Sequence, residues 1–331
     1  MKLSVLDQSP ILFGHSPARA VAETLALARR VEVLGYNRYW LAEHHAIAAL
    51  ADPCPEILLA RLGAETKSIR IGTGGVLLPY YSPFKVAEAF RMLEALYPGR
   101  VDLGIGRAPG GDARTARAVG GGRFPDAEHF PQQVWELAAY LDGTLADDHP
   151  DRGVRVQPEG STAPEIWLLG SSDYSGLLAA QLGLRFAFAH FINAHGGDAV
   201  MRAYRERFQT SGREAQPHTL LCCFVICALT DEEAERRAKA VDLRRLEMAY
   251  NLDTPVPTLE QALARTYTER ELEYIRQQRA RLVHGSPARC KERLLALTEQ
   301  YSADELMIIT ITGSYETRLE SYELLAEAFA I

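Results

Sequence analysis

The chain has 331 residues, 36 basic against 43 acidic, a formal net charge of −7 and 47 % hydrophobic residues. That length suits one large α/β barrel better than a small sandwich or a pair of full enzyme domains. A mildly acidic chain without a basic cluster argues against nucleic acid and membrane surfaces as partners, and no run of 18 apolar residues is present to span a bilayer.

In chain order, the opening MKLSVLDQSP has one lysine and a short apolar run broken by Asp7, which is not the pattern of a secretory signal. Residues 3–6 read as a first strand. An amphipathic helix over 18–34 follows and stops at Gly35. A strand at 39–41 leads to another at 69–78. The helix at 83–96 is punctuated by Pro83 at its start and by Pro98-Gly99 after its end. Strands then follow at 101–105, 166–169, 186–189, 220–229 and 306–311. Most of the eight are continuously apolar, as expected of strands covered on both faces. Of the five cysteines, Cys54, Cys222, Cys223, Cys227 and Cys290, none forms a CxxC pair. Three lie in the apolar run LLCCFVICAL as small core side chains, so a reduced, cytoplasmic protein is expected.

Eight β/α units predict a (β/α)8 TIM barrel of the α/β class, one domain over 1–331; a doubly wound sheet is the competing arrangement. Two segments exceed ordinary connection lengths, so insertions are expected after strands 4 and 7. Residues 107–130 are rich in glycine and charge, and 251–284 are polar with a helical pattern. Substrate choice is expected to lie in loops such as 107–130 and 191–198.

Four clusters fall at the C-terminal ends of predicted strands, which a barrel gathers at one mouth. The first is Glu43-His44-His45. The imidazoles can move protons near neutral pH and Glu43 can fix a tautomer; alternatively the loop satisfies its polar groups locally. Neighbouring strand residues face opposite ways, so His44 and His45 do not naturally share a metal ion, and HExxH is absent. The second is GTGGVLLP, where Gly74 and Gly75 admit a flat ligand or mark a bulge. The third is VDLGIGRAPGGD. Its glycine spacing fails the dinucleotide fingerprint, but it delivers Arg107 to the mouth, to meet a phosphate or to form a structural salt bridge. The fourth is IWLLGSSDYSGLLAAQLG, where Gly170 precedes Ser171, Ser172 and Ser175 at a helix start near Asp173. That is an anion site if it is more than N-capping. An anion site, a flat wall and a proton carrier together match the parts of a flavin mononucleotide.

These motifs resemble the bacterial luciferase-like monooxygenases, flavin-dependent (β/α)8 barrels. LSVLDQSP, RYWLAEHH, IRIGTGGVLLPYYSPFKVAEAF, YPGRVDLGIGRAPGGD, LLGSSDYSGLLAAQLG and ADELMIITI stand in the family's order over nearly the whole chain, nearest its uncharacterised single-chain branch. The resemblance implies reduced FMN and O2 acting on a small organic substrate, with FMN supplied by a separate NAD(P)H:flavin reductase. It implies His44 as catalytic base with His45 beside it, and Arg107 near the flavin phosphate. Gly170, Ser171, Ser172 and Ser175 match the phosphate loop. Gly74-Gly75 match a wall behind the ring where many members hold a non-proline cis peptide. It further implies a mobile lid at 251–284 and a homodimer through the early helices. Gly106 stands where light-emitting members carry a reactive cysteine, so long-chain aldehyde and light emission are not implied. Three alternatives stay open: the deazaflavin F420 as hydride carrier, a non-catalytic flavin-holding protein, and a metal-dependent hydrolase using His44, His45 and Asp112.

Overall fold

Strands too apolar to meet water on either face need cover on both. In the computed structural model, which describes residues 1–108 and 110–331, they get it by closing on themselves inside a ring of helices. Pro109, within the glycine-rich segment after the fourth strand, lies outside the described residues. The elements run β1 (Lys2–Asp7), α1 (Pro17–Val33), β2 (Arg38–Leu41), α2 (Pro55–Glu65), β3 (Arg70–Leu77), α3 (Pro83–Leu96), β4 (Val101–Gly106), α4 (Ala113–Val119) and α5 (Phe130–Asp142). They continue as β5 (Glu165–Gly170), α6 (Asp173–Leu182), β6 (Arg185–Ala189), α7 (Gly197–Arg207), β7 (Thr219–Cys227) and α8 (Asp231–Ala249). The chain ends with α9 (Leu259–Ala264), α10 (Glu269–Gln278), β8 (Leu282–Gly285), α11 (Pro287–Tyr301), β9 (Glu305–Ile309) and α12 (Tyr315–Phe329).

Strands β1 to β7 pair in sequence and β9 joins β7 to β1, all in parallel, so eight strands close a barrel as expected. The described residues hold a ninth strand that the sequence reading missed. Strand β8 is only LVHG, too short and too mixed to stand out, and it pairs with Phe224–Cys227 of β7. Phe224 also pairs with Ile309 of β9, so β8 occupies the other edge of β7, which β6 no longer covers beyond Ala189. The insertion after strand 7 is also larger than 251–284. Helix α8 packs chiefly on α9, α10 and β8, whereas α11 packs between α7 and α12, against β7, β8 and β9, and takes the place of the barrel's seventh helix. The alternating charges of α8 resemble an ordinary outer helix, which hid this from the sequence. No helix among the described residues is long and apolar enough to cross a membrane.

Alternation along each strand divides the core. Outward side chains such as Val5, Tyr39, Ile71 and Leu103 meet the helices. Inward ones, including Leu6, Trp40, Trp167, Leu220 and Met307, fill the barrel. At its N-terminal end the filling is ionic. Arg38 is 3 % exposed, and Asp102 and Glu305 are fully buried. The Arg38 guanidinium donates to Glu305 from Nε (2.8 Å) and Nη2 (3.1 Å) and to Asp102 from Nη1 (2.7 Å). Asp102 also accepts from Trp40 Nε1 at 2.8 Å and from Arg70 Nη2 at 2.6 Å. The cation lies 4.9 Å from the Trp167 ring centroid. Burial by itself raises the Asp102 carboxyl; Arg38 and Arg70 outweigh it and hold the pKa below the usual carboxylate range. Removing the central cation leaves the buried Glu305 without a cation and Asp102 with Arg70 alone. Arg38→Ala is therefore expected to cost about 3–5 kcal/mol of stability in denaturant unfolding; a loss below about 1 kcal/mol would show that the plug is not cohesive.

Candidate active site

The opposite end of the barrel is open. Small residues replace the bulky filling at the top of several strands, with Ala42 on β2's exit, Gly74 and Gly75 on β3, Gly106 on β4, and Ala187 and Ala189 on β6. What remains is a cavity of about 300 Å³ over the floor made by Leu6, Trp40, Leu169, Leu220 and Met307. His44, Gly74, Gly75, Arg107, Gly170, Ser171, Ser172 and Ser175 all line it. Segments up to 131 residues apart thus meet at one rim. Phe191 and Ile192 line it too, from the loop expected to hold specificity, and so does Gln8, which the sequence reading did not single out. A polar residue just past a strand's C-terminal end was the only signal for Gln8.

His45 is not among the lining residues. Adjacent side chains leave an extended chain in opposite directions. His44 faces the cavity, while His45 Nε2 bonds Glu43 Oε1 at 2.7 Å. Glu43 is buried and accepts two further bonds, from the Leu77 N–H (2.8 Å) and the Tyr81 hydroxyl (2.5 Å). The carboxylate therefore orients His45 and pins the loop to β3; it does not set the tautomer of His44. The Nδ1 of His44 is sealed from solvent and has no hydrogen-bond partner among the described residues. Burial is the largest cause holding its pKa below the ordinary histidine range, so the ring is neutral at pH 7.

On the far wall, the Gly74–Gly75 peptide is cis, and the β3–β4 register shifts between Thr73 and Val76. Bulge and flat wall are the same feature. A Cβ on Gly75 would stand 2.6 Å from the Gly104 carbonyl oxygen, and one on Gly74 would stand 2.6 Å from Leu6 Cδ1. A Cβ on Gly170 would stand 2.3 Å from Ser175 Cβ, so glycine is required for β5 to turn into α6. Ser172 is the N-cap of α6 but makes no side-chain capping bond. In the first turn of α6 the Tyr174 N–H donates to Asp173 Oδ1 at 2.8 Å. Arg107 is exposed, forms no ion pair among the described residues, and stacks 4.1 Å over the ring of Tyr174 in the first turn of α6. Cys222 closes one side of the cavity; burial pushes its thiol well above the usual range.

Asp112 caps α4 through the Thr115 N–H (2.8 Å) instead of joining the histidines. No cluster of three His, Cys, Asp or Glu among the described residues could hold a metal ion.

The family model for luciferase-like monooxygenases matches residues 1–304. The chain belongs to that family. This monooxygenase is 46 % identical to the uncharacterized protein YceB of Bacillus subtilis strain 168, covering 99 % of each chain. It is 39 % identical to the crystallised apo-MsnO8, covering 99 % of this chain and 98 % of that one, with a TM-score of 0.91. Two structures share the fold at lower identity. One is the oxygenating constituent of 3,6-diketocamphane monooxygenase from Pseudomonas putida in complex with FMN (20 %, TM-score 0.74, 99 % and 97 % covered). The other is an F420-dependent secondary alcohol dehydrogenase (13 %, TM-score 0.69, 99 % and 98 % covered). The chain is accordingly an oxygen-using oxidoreductase with a cofactor of the flavin type, as the sequence motifs imply.

In this monooxygenase, burial also lowers His190, to about 4, and lowers His218 and His284. An unfolded chain takes up protons on these rings near pH 6.5, the folded chain only at lower pH. Between those values the unfolded state binds more protons, so stability falls as pH falls. The urea midpoint is expected to drop between pH 7 and pH 5; a flat or rising midpoint would contradict the neutral, buried state of these rings.

Proposed function

We propose that this monooxygenase binds reduced FMN at the barrel mouth and, with O2, oxygenates a small organic substrate. The observation that carries this reading is the gathering of His44, Gly74-Gly75, Arg107 and the Gly170–Ser175 turn around one cavity. These residues fit the cofactor. The phosphate would take the hydroxyls of Ser171, Ser172 and Ser175 and the open start of α6, with Arg107 above as the neutralising cation. The ring would lie along Gly74-Gly75, where any side chain would collide with the barrel. When bound, FMN supplies the redox chemistry that activates oxygen.

His44 contributes a neutral imidazole aimed into the cavity, able to accept a proton from the reacting groups. His45 acts through position only, held by Glu43. The apolar floor and the insertion after strand 7 exclude water, and 251–284 would serve as the lid. A second copy of the chain would pack on the early helices, where Ile57, Met92 and Leu96 are exposed apolar side chains on α2 and α3. Reduced FMN would arrive from a separate NAD(P)H:flavin reductase.

Titration with FMN, reduced FMN and F420, followed by absorbance and fluorescence, should show saturable binding of FMN in preference to F420. F420 preference would convert the reading to hydride transfer, and binding of neither would end it. Bound FMN should slow proteolysis within 251–284. His44→Ala should keep FMN binding and lower oxygen uptake with reduced FMN roughly 10²–10⁴-fold. In the intact chain, the acid limb of the rate should fall below the ordinary histidine value of about 6.5; unchanged uptake in the variant would remove His44 from proton transfer. Light scattering should give twice the chain mass, and Ile57→Glu should return it to one; a wild-type monomer would refute the dimer.

A further inference from the structure

A second chamber of about 280 Å³ adjoins the first, sharing Gln8, His44, Phe191 and Ile192 with it. Most of its wall is apolar, including Ile47, Leu50, Val241, Val256, Ile309 and Ile311. Three arginines, Arg244, Arg245 and Arg281, break that wall. Their arrangement is unusual for a chain with more acids than bases. Each donates one Nη1 bond to a backbone carbonyl: Arg244 to Thr254 (2.9 Å), Arg245 to Gln278 (2.7 Å) and Arg281 to Ile192 (2.9 Å). None has a carboxylate within ion-pair distance among the described residues. Arg279, in the same insertion, shows the contrast. It is neutralised by Asp242 at 2.7 Å and Glu235 at 3.1 Å. Burial first, then the nearby Arg281, pull Arg245 down to about 10, so it remains charged at neutral pH while the two cations repel each other. Arg245 also lies 5.5 Å over the Phe224 ring, on the chamber side of the barrel.

Unpaired guanidinium groups around an apolar hollow are a costly arrangement unless something anionic completes it. We propose that this chamber binds an organic monoanion, with its carboxylate or sulfonate on Arg244, Arg245 and Arg281 and its apolar body directed past His44 toward the flavin cavity. The acid end would then be an anchor, and the oxidised atom would lie at the opposite end of the molecule. That this anion is the substrate rests on the FMN reading; that the chamber binds it does not.

Calorimetric titration of the full chain with octanoate, octane-1-sulfonate and octan-1-ol tests this. At least one anion should bind roughly ten- to a hundredfold more tightly than the alcohol, the range expected for hydrogen bonds to a charged group. Which anion leads distinguishes carboxylate from sulfonate recognition. The double variant Arg245→Met, Arg281→Met should lose that preference and still bind FMN as the wild type does. Should it fail to fold, judged by its melting curve, the single variants Arg244→Gln and Arg281→Gln should each reduce the preference. Equal binding of acid and alcohol, or a preference that survives the substitutions, overturns the proposal. FMN titration alongside separates the two ideas: anion preference without FMN binding removes the monooxygenase cofactor reading and leaves the anion site, and FMN binding without anion preference does the reverse.

Discussion

One buried guanidinium organises the barrel. Arg38 stands at the start of β2, where it meets carboxylates from β4 and β9 and the faces of two tryptophans. An ion cluster of this kind is satisfied only when every partner is in register. Shifting β2 by one residue would turn Arg38 outward among the helices and leave Asp102 and Glu305 without their shared cation. The cluster also closes the N-terminal end to solvent. The barrel therefore has one mouth, at the far ends of its strands.

Above that plug the filling changes in order: ions, then Trp40 and Trp167, packed edge to face at 5.4 Å, then alanine and glycine. Trp40 of the tryptophan layer belongs to the floor of the cavity, and the glycines are its walls. His44 sits where the strand-end cavity and the arginine-rimmed space join. A group at such a junction touches whatever lies in either chamber, which explains why its neighbour, only one residue on, has a wholly different task.

Much of this was legible in the residues. Apolar runs marked all eight barrel strands to within two residues of their ends. The Gly-Ser-Ser-Asp sequence placed the start of α6 at Asp173, because a strand that ends in glycine and is followed by small polar residues has few other courses. The Gly74-Gly75 pair was readable as a flat wall or a bulge, because glycines inside a strand mark one or the other, and the register shift between Thr73 and Val76 shows the bulge. Three features were hidden. Strand β8 is too short to show periodicity. Helix α8 carries the charge pattern of a solvated helix, and only its packing partners reveal that it roofs the mouth. The Arg38 plug was invisible because Arg38, Asp102 and Glu305 are far apart in the chain, and each alone looks like a strand-end charge. His45 was paired with His44 by adjacency, although extended backbone separates neighbours.

The position of Cys222 has a consequence of its own. It puts a thiol in the wall of the cavity at the barrel mouth, with the thioether of Met307 in the floor. Sulfur is vulnerable as thiolate, and the apolar surroundings suppress ionisation of this group. Gly106, on β4, which does not adjoin β7, adds no side chain, so the one thiol among the described lining residues is this protonated one. Of the two sulfurs in that lining, Cys222 is thus kept in its less reactive form, while the Met307 thioether has no such protection.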